Sequence, residues 1–284
     1  MINMCTNTSN ATCKVEILHG VAYSPLFFLG LLVNAAALCA FLAKRDCWTD
    51  TYIYMFNLAI ADMALVLFLP FRIYDAFFCL PKTTLCTFLI NIHFTNMYAR
   101  ILTTTVISVQ RYLVIRFPLQ ARSWRKKKET AFGVCLVIWV FLVTTCAVFR
   151  KDNYPDKLWR CYERCKNHRL QKEFIVILLL LGFFIPLMII VFCTSRIICI
   201  LSKAENKSEE KKSIIGLVTA NMIVFIVCYT PIHTGFLVNY FYIPPSHWQS
   251  LYIPAHVYFH VSEWIAATNC CFDSISYYFL LKQS

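Results

Sequence analysis

The stretch CTFLINIHFTNMYARILTTTVISVQRYLVIRFP, residues 86–118, decides the fold. Cys86 and Arg111 stand about 25 residues apart, which as an α-helix is a rise of about 37 Å. The hydrocarbon core of a bilayer is only about 30 Å thick, so this helix would place the cysteine at one face of a membrane and Arg111 with Tyr112 at the other. Between them the segment is apolar except for small polar groups and the charge of Arg100. The stretch therefore predicts a helix that connects the two faces of a membrane.

The composition of the whole chain is that of a membrane protein. Of its 284 residues, 59% are hydrophobic and only 15% are charged, whereas soluble domains average about 45–50% and about 25%. Apolar runs recur along the chain, and they are too long and too irregular for the alternating strands of an outer-membrane barrel. We predict an all-α membrane protein, a seven-transmembrane helix bundle. Its helices are expected at about 17–43, 51–78, 84–115, 129–149, 173–201, 213–241 and 251–281.

Sequons and basic clusters indicate the orientation of the chain. The segment 1–16 is polar and carries glycosylation sequons at Asn7 and Asn10, and no apolar signal core precedes them, so the first helix is expected to act as an uncleaved anchor. We predict a multi-pass protein of the plasma membrane with an extracellular N-terminal segment and a cytoplasmic stub at 282–284. The basic residues of the presumed inner loops cluster at Arg122, Arg125, Lys126, Lys127, Lys128, Lys203, Lys207, Lys211 and Lys212.

Several of the 15 cysteines are placed for disulfide bonds. Most fall within apolar spans or at their inner ends, where simple packing accounts for them. Those that would face an oxidising exterior are Cys5, Cys13, Cys79, Cys86, Cys161 and Cys165. We prefer a bridge between Cys86 and Cys161. Cys165 is the competing partner, and spacing alone does not decide between them.

Two ionisable residues fall inside predicted spans. Asp62 lies near the midplane of helix two, and Arg100 lies about 16 Å from the inner end of helix three. An ionisable side chain at that depth costs several kcal/mol without a partner, so a functional role is the default interpretation. Their similar depth predicts a buried ion pair. The alternative is that each is solvated separately in an internal water cavity.

Helices six and seven carry further polar and proline signals. Pro231 bends helix six, whose inner end is basic, and such a helix is either a moving part or statically kinked. Phe225 lies one to two turns below this proline. In helix seven Asn269 and Asp273 share a face, and Tyr277 lies one turn further in. Polar groups on one stripe of a membrane helix are expected to face the interior of the bundle.

The ordered set of these motifs resembles the rhodopsin-like (class A) G-protein-coupled receptors over essentially the whole chain. The residues that carry the resemblance are Asn34, Asp62, Cys86 with the loop cysteine, Arg111 in QRY, Trp139, Pro186, Pro231 in CYTP and DSISY at 273–277. Within the family, NCCFDSISYYF, VCYTPIHTGF and PLMIIVFC resemble the purinergic and lysophospholipid branch and its orphan members linked to kynurenic acid and lysophosphatidylinositol. The resemblance implies a receptor that couples to a heterotrimeric G protein.

The resemblance also implies roles for individual residues. Arg111, with Tyr112 beside it, would meet the G protein when helix six swings outward, and Tyr277 would turn inward beneath it. Tyr229 would be the toggle of helix six, where the family usually has Trp, with Phe225 below it. A polar relay would join the ligand pocket to Arg111. Its members would be Asp62, Asn34, Asn269 and Asp273, with Arg100 as the partner of Asp62.

Some positions depart from the family pattern. Gln110 replaces the acid that usually precedes the arginine, so one ionic restraint on Arg111 is missing and basal activity is expected to rise modestly. Ser274 stands where a proline is usual. Arg100 stands where the family usually has a small polar residue near a bound sodium ion. We expect its guanidinium to replace that cation beside Asp62 and to make signalling insensitive to sodium.

The outer side of the bundle predicts an anionic ligand. Arginine and lysine there, including the basic loop 160–169, attract anions and bind phosphate or carboxylate, while aromatic rings suit an acyl chain or a flat ring. We expect an anionic lipid or an acidic small metabolite, such as a lysophospholipid, or a nucleotide. Arg72 could instead pair with Glu263 or Asp75, and the histidines could be packed rather than ligating. The residues expected to bind the ligand are Arg72, His93, Met97, Arg150, His233, Tyr240, His260 and Glu263.

Other functions fit the sequence less well. His93 stands where amine receptors carry an acid, and helix seven offers no lysine for a retinal Schiff base before Lys282. No constellation of catalytic or metal-ligating residues points to an enzyme, a cofactor or a metal, and nothing points to a nucleic-acid partner. Gln110 and Ser274 favour a non-signalling decoy or scavenger receptor for the same ligands as the alternative. A transporter or channel would need inverted repeats, which the sequence lacks.

Overall fold

The computed structural model describes residues 17–43, 49–124, 128–149, 155, 158–164, 170–203, 209–241 and 254–283. Within these ranges the description excludes the side chains of 122–124, 159–160, 163–164, 210, 254–256 and 275–283. Several predictions therefore lie outside the described residues. They are the N-terminal segment 1–16 with Asn7 and Asn10, Arg150, the part 165–169 of the basic outer loop with Cys165, and the inner basic residues Arg125, Lys126, Lys127 and Lys207. The side chains of Arg122, Arg160, Arg164, Tyr277 and the segment 282–284 also lie outside the description.

The described chain forms seven helical rods, as the all-α seven-helix prediction requires. Their ends lie within about four residues of the predicted bounds, a difference typical of fraying helix termini. A short helix, α4, follows the third rod at Pro118–Trp124. The rods are α1 (Ile17–Ala43), α2 (Asp50–Phe78), α3 (Thr84–Arg116), α5 (Lys128–Val148), α6 (Lys172–Leu179) continuing through a π-helical turn (Leu180–Phe184) into α7 (Ile185–Ser202), α8 (Glu209–Phe241) and α9 (Pro254–Gln283).

The outer surfaces of the rods suit a lipid environment. Five rods, namely α1, α2, α5, α6–α7 and α8, are long and apolar enough to cross a membrane by composition alone. We attribute the absence of α3 and α9 from this set to the polar side chains that they carry toward the interior. Large apolar side chains such as Phe28, Leu136 and Met188 are mostly exposed on the bundle. Helices suit this environment because every backbone polar group within hydrocarbon must be satisfied internally.

Helix α3 is the centre of the bundle. It packs against α2, α5 and α7, and residues from Cys86 to Ile107 are buried along its length. The largest apolar cluster joins Met97 and Tyr98 of α3 to Phe225 and Tyr229 of α8. The buried polar side chains of α3, such as Arg100 and Thr103, therefore contact other parts of the protein.

A disulfide bond closes the outer end of the bundle. Cys86 at the start of α3 is bonded to Cys161, so the preferred pairing is confirmed. Cys161 lies in the turn of a two-stranded antiparallel hairpin, β1 (Leu158–Arg160) and β2 (Glu163–Arg164), which the sequence did not predict. Cys79 is also disulfide-bonded. The Cys86–Cys161 bond holds the hairpin against the outer end of α3.

The π-helical turn accounts for the proline in the middle of the fifth rod. Pro186 has no backbone N–H, and its ring clashes with the carbonyl of the preceding turn in a regular α-helix. The wider turn at Leu180–Phe184 accommodates this defect. It also brings Gly182 against the ring of Tyr98, where a Cβ atom would overlap the ring. The rod packs tightly on α3 at this level because position 182 has no side chain.

The contact at Gly182 predicts a loss of stability on substitution. Gly182→Ala should lower the free energy of unfolding by about 1–3 kcal/mol, because the added methyl group displaces the Tyr98 ring from a packed core. For a protein of this size the melting temperature should fall by about 3–8 °C. Thermal unfolding of the purified protein in detergent micelles measures the change.

The matched control is Gly133→Ala in α5, where a Cβ atom would meet nothing within 4 Å. This change should leave the melting temperature unchanged or raise it, since alanine has the higher helix propensity by up to about 1 kcal/mol. Equal melting temperatures for the two variants would contradict the packing described at Gly182.

Candidate functional site

Asp62 and Arg100 form an ion pair in the middle of the bundle. Nη1 of Arg100 lies 3.4 Å from Oδ1 of Asp62, and both side chains are almost fully buried. Nη2 of Arg100 donates a hydrogen bond of 2.9 Å to the main-chain oxygen of Ala266. The ion pair predicted from equal depth is therefore present. The guanidinium also joins α2 and α3 to α9, which the sequence did not predict.

Polar side chains of α8 and α9 continue the network toward the inner end. The side-chain amide of Asn269 donates to the hydroxyl of Tyr229 at 2.9 Å and to Oδ2 of Asp273 at 2.8 Å. The guanidinium of Arg100 lies 6.0 Å from the centre of the Tyr229 ring, a distance at the limit for a cation–π contact. These predicted switch residues therefore form one contiguous group across three helices.

Hydrogen bonds of Asn34 and Ser274 attach α1 to α9. The amide of Asn34 donates to the main-chain oxygens of Gly30 at 3.0 Å and Cys270 at 3.1 Å. The hydroxyl of Ser274 donates to Oδ1 of Asn34 at 3.3 Å. A proline at position 274 could not make this bond. Ser274, which departs from the family pattern, thus adds a hydrogen bond between α9 and α1.

A second polar chain crosses the bundle near the inner end of α2. The indole N–H of Trp139 donates to Oδ1 of Asn57 at 2.8 Å, and the amide of Asn57 donates to Thr103 at 3.1 Å. These bonds tie α5 and α3 to α2. The sequence contained the signal, since Asn57 begins the NLAIAD motif, but nothing in the motif identified its partners.

His233 is enclosed in a column of rings. Its ring stacks on Phe183, with centroids 4.5 Å apart and planes 15° from parallel. Nδ1 donates to the main-chain oxygen of Tyr229 at 2.7 Å, so the neutral ring accepts at Nε2 from the Tyr98 hydroxyl at 3.1 Å. His233 is only 1% exposed. His233 is therefore packed and hydrogen-bonded. This is the alternative to ligand binding that the sequence left open.

Arg72 and Glu263 form a second buried ion pair, near the outer end. Nη1 of Arg72 lies 2.8 Å from Oε2 of Glu263, and Nη2 lies 3.1 Å from Oε1, so the pair is bidentate. The side chains are only 7% and 5% exposed. Asp75 instead accepts a hydrogen bond of 2.8 Å from the main-chain N–H of Leu80. Of the two acids considered as partners of Arg72, Glu263 forms the bidentate pair.

Aromatic and imidazole rings surround this outer ion pair. The guanidinium lies 4.3 Å from the ring centre of Tyr162 and 5.7 Å from that of Tyr23, whose hydroxyl is 3.4 Å away. His260 Nδ1 lies 3.6 Å from the carboxylate, and the ring of His19 packs on His260 at 4.6 Å. Burial raises the pKa of Tyr162 well above its usual value, so its hydroxyl stays neutral. Sequence reasoning missed both tyrosines and His19.

The other residues expected to bind a ligand are spread more widely. His93 is half-buried, close enough to Arg72 and Glu263 to interact electrostatically with both. Met97 lies in the apolar core, and the ring of Tyr240 lies 5.1 Å from that of Phe241. The structure therefore brings Arg72, Glu263 and His260 together, but places Met97 and His233 in the packed interior.

A cleft lies on the inner side of the central network, beside the end of α3 that carries Arg111. Gln110 donates to the hydroxyl of Thr51 at 2.7 Å and is thereby attached to α2. The ring of Tyr112 lies 5.8 Å from Phe192 of α7. Arg111 itself is half-buried. The cleft is lined by Met55, Leu58, Thr104, Ile107, Ser108, Asn221, Val224, Phe225, Tyr229, Asn269, Phe272 and Asp273.

Comparison with known proteins extends over nearly the whole chain. Residues 33–277 match the family described as 7 transmembrane receptor (rhodopsin family). G-protein coupled receptor 35 of Homo sapiens is 33% identical over 91% of this chain and 82% of the relative. Lysophosphatidic acid receptor 6 of Gallus gallus is 30% identical over 95% of this chain and 94% of the relative. G-protein coupled receptor 55 of Homo sapiens is 31% identical over 95% of this chain and 86% of the relative.

The central ion pair predicts a large loss of stability when its cation is removed. Arg100→Leu should lower the free energy of unfolding by about 3–5 kcal/mol, because it leaves the carboxylate of Asp62 buried without its partner. The melting temperature in detergent micelles should fall by about 10 °C.

The double variant Asp62→Asn with Arg100→Met is the control, because it removes both charges and keeps apolar volume in the core. It should recover most of the melting temperature lost in the single variant. A single variant as stable as the unmodified protein would show that Arg100 does not compensate the charge of Asp62.

Proposed function

Because this chain belongs to the seven-transmembrane receptors of the rhodopsin family, we propose that it binds an anionic lipid or an acidic small metabolite from the outside and activates a heterotrimeric G protein. As a member of that family it is a multi-pass protein of the plasma membrane and a receptor, not an enzyme. The proposal concerns the class of ligand, the G-protein partner and the residues that serve each.

One face of α9 supports the proposal most directly. Glu263, Ala266, Asn269 and Asp273 follow one another at intervals of three or four residues, so they lie along a single face of the helix. Glu263 pairs with Arg72 at the outer end, and the carbonyl of Ala266 accepts from Arg100 in the middle. Asn269 and Asp273 line the inner cleft. A movement of α9 caused at the outer end would therefore reach the inner cleft through these contacts.

The outer end supports an anionic ligand with an apolar part. Arg72 offers a planar, permanently charged group suited to carboxylate or phosphate. Phe94 is half-buried, with its ring centre 5.8 Å from that of the buried Phe236, and we propose that an acyl chain or a flat ring packs against its exposed edge. One of the relatives, receptor 6 of Gallus gallus, is named a lysophosphatidic acid receptor. A lysophospholipid is therefore the first candidate ligand for this chain.

The inner end supports a G-protein partner. Arg111 lies beside a cleft bounded by α2, α3, α8 and α9, where it can meet the C-terminal carbonyls of a docking helix. Gln110 is neutral and is attached to Thr51 of α2. It therefore gives no ionic restraint on Arg111, and we propose that the receptor has measurable basal activity.

A non-signalling decoy receptor for the same ligands is the alternative. The Gln110–Thr51 and Ser274–Asn34 bonds occupy the two positions that depart from the family pattern. In a decoy these bonds would hold the inner end closed. The two functions differ in whether Arg111 affects nucleotide exchange.

The role of Arg111 is tested by nucleotide exchange on a panel of purified G proteins. Arg111→Ala should reduce receptor-dependent exchange about tenfold or more with the coupled G protein, because it removes charge-assisted hydrogen bonds to the partner. Basal exchange and exchange with 1-oleoyl lysophosphatidic acid are both measured.

The matched control is Arg116→Ala, an exposed arginine at the end of the same helix. This change removes the same charge but should leave exchange within about twofold of the unmodified receptor. Equal exchange by the unmodified protein and Arg111→Ala with every G protein would favour the decoy function.

The Asp62–Arg100 pair also predicts that sodium does not regulate the receptor. Replacing about 0.15 M sodium chloride by N-methyl-D-glucamine chloride keeps the ionic strength constant. The half-maximal concentration of an agonist should then change by less than about twofold, because the carboxylate of Asp62 already has a cation at 3.4 Å.

The control variant Arg100→Ser removes the guanidinium and leaves a small polar side chain. Sodium should lower agonist potency in this variant. A clear loss of potency caused by sodium in the unmodified receptor would contradict the proposed role of Arg100.

A further inference from the structure

We propose that Glu263 is a built-in competitor for the ligand, and that the anionic group of the ligand binds by replacing the Glu263 carboxylate on Arg72. The inference rests on the proposed function, since it concerns how the same outer site takes an anion. It adds the residue that limits which anions bind. In this scheme Arg72 binds the anion and Glu263 determines specificity. An anion can bind only if its hydrogen bonds to Arg72 are stronger than those of the Glu263 carboxylate that it replaces.

The geometry of the ion pair supports an exchange. Glu263 occupies both terminal nitrogens of Arg72 through bonds of 2.8 and 3.1 Å, the bidentate arrangement that an external carboxylate or phosphate would also use. The third nitrogen, Nε, has no hydrogen-bond partner among the described residues. A phosphate can bond the edge formed by Nε and one terminal nitrogen, because the two N–H groups of that edge point in the same direction. It therefore uses an N–H group that Glu263 leaves without a partner.

Charge balance sets a condition on the exchange. Arg72 and Glu263 are both more than nine-tenths buried, and together they are neutral. An incoming anion adds one negative charge to this buried site, where charge is costly. When the anion displaces Glu263, the charge on Arg72 remains balanced, and the released carboxylate has to pair with a protonated imidazole or take up a proton from solvent.

Imidazole groups lie beside the carboxylate that would be released. His260 Nδ1 already lies 3.6 Å from Oε2 of Glu263, and the ring of His19 packs on His260 at 4.6 Å. His93 also interacts electrostatically with Glu263. The carboxylate can thus turn from the arginine toward groups that donate hydrogen bonds, and it does not have to enter hydrocarbon.

Tyr162 covers the arginine and has to shift before the exchange. Its ring centre lies 4.3 Å from the guanidinium carbon, and its backbone adopts φ of 65°. Non-glycine residues rarely adopt this left-handed conformation, which is strained. The neighbouring Cys161 is fixed to α3 by the disulfide bond. The disulfide bond therefore fixes the residue before Tyr162, while a change of the Tyr162 backbone out of the left-handed conformation would release strain.

The exchange is tested by direct binding to the purified full chain in detergent micelles without any G protein. The probe is 1-oleoyl lysophosphatidic acid, and 1-oleoylglycerol is the matched neutral lipid because it lacks only the phosphate. The variants are Glu263→Gln, which keeps the shape but removes the competing charge, and Arg72→Gln, which removes the cation. Glu173→Gln is the control, because it removes an exposed acid from the first turn of α6 at the same end of the bundle.

Glu263→Gln should bind the phosphate-bearing probe about tenfold or more tightly than the unmodified chain, because charge-assisted bonds are freed. Arg72→Gln should weaken binding of this probe by a similar factor. The affinity for 1-oleoylglycerol should change by less than about twofold in every variant, and Glu173→Gln should leave both lipids unaffected.

Several outcomes would overturn the inference. Equal or weaker binding of the probe by Glu263→Gln would show that Glu263 does not compete, and an absence of binding by that variant would show that freed Arg72 does not hold the anion. A similar gain in Glu173→Gln would attribute the effect to overall charge. Glu263→Asp, which keeps the charge but shortens the reach, gives a second estimate and should fall between the two extremes if Glu263→Gln does not fold. Because binding needs no G protein, a failure of the Arg111 test leaves this result standing.

Discussion

A guanidinium and a carboxylate that meet in the middle of a membrane protein constrain everything packed around them. Neither Arg100 nor Asp62 can be exposed to hydrocarbon, so α2 and α3 must present them to each other at one depth. The other terminal nitrogen of the guanidinium, Nη2, donates a hydrogen bond to the carbonyl of Ala266 in α9. Three of the seven rods are thus positioned by one cation, and the aromatic column of α8 packs against its side.

The two buried ion pairs differ in how they are enclosed. The inner pair joins Arg100 to an acid within the bundle, and both partners are almost fully buried. The ring of Tyr229, whose centre is 6.0 Å from the guanidinium, connects the pair to Asn269 and Asp273. Among the described residues, the outer pair, Arg72 with Glu263, is covered by a loop tyrosine and by side chains from α1 and α9. A pair that is covered by a loop is easier to open than a pair that is covered by four helices. The difference in enclosure is consistent with a ligand site at one level and a structural centre at the other.

The features that followed from the sequence were those set by depth and periodicity. The helices and the Asp62–Arg100 contact could be predicted because a helix rises by a fixed amount per residue and charges in lipid need partners. The choice between Glu263 and Asp75 for Arg72 could not, because it depends on side-chain direction and on how helices rotate. The position of Tyr162 depends on a strained turn that no residue pattern encodes. The π-helical turn could not be predicted either, because its one signal in the sequence was Pro186.

The bond from Arg100 to Ala266 ends on a main-chain oxygen, and this choice of acceptor has a mechanical consequence. A carbonyl is supplied by whatever residue stands at that position, so the contact is indifferent to the side chain but sensitive to the longitudinal register of α9. After a slide of α9 by one residue, about 1.5 Å, the carbonyl at the height of the guanidinium would belong to a neighbouring residue, which lies about 100° around the helix. The guanidinium therefore resists piston-like displacement of α9 and leaves tilting about the contact as its easier motion.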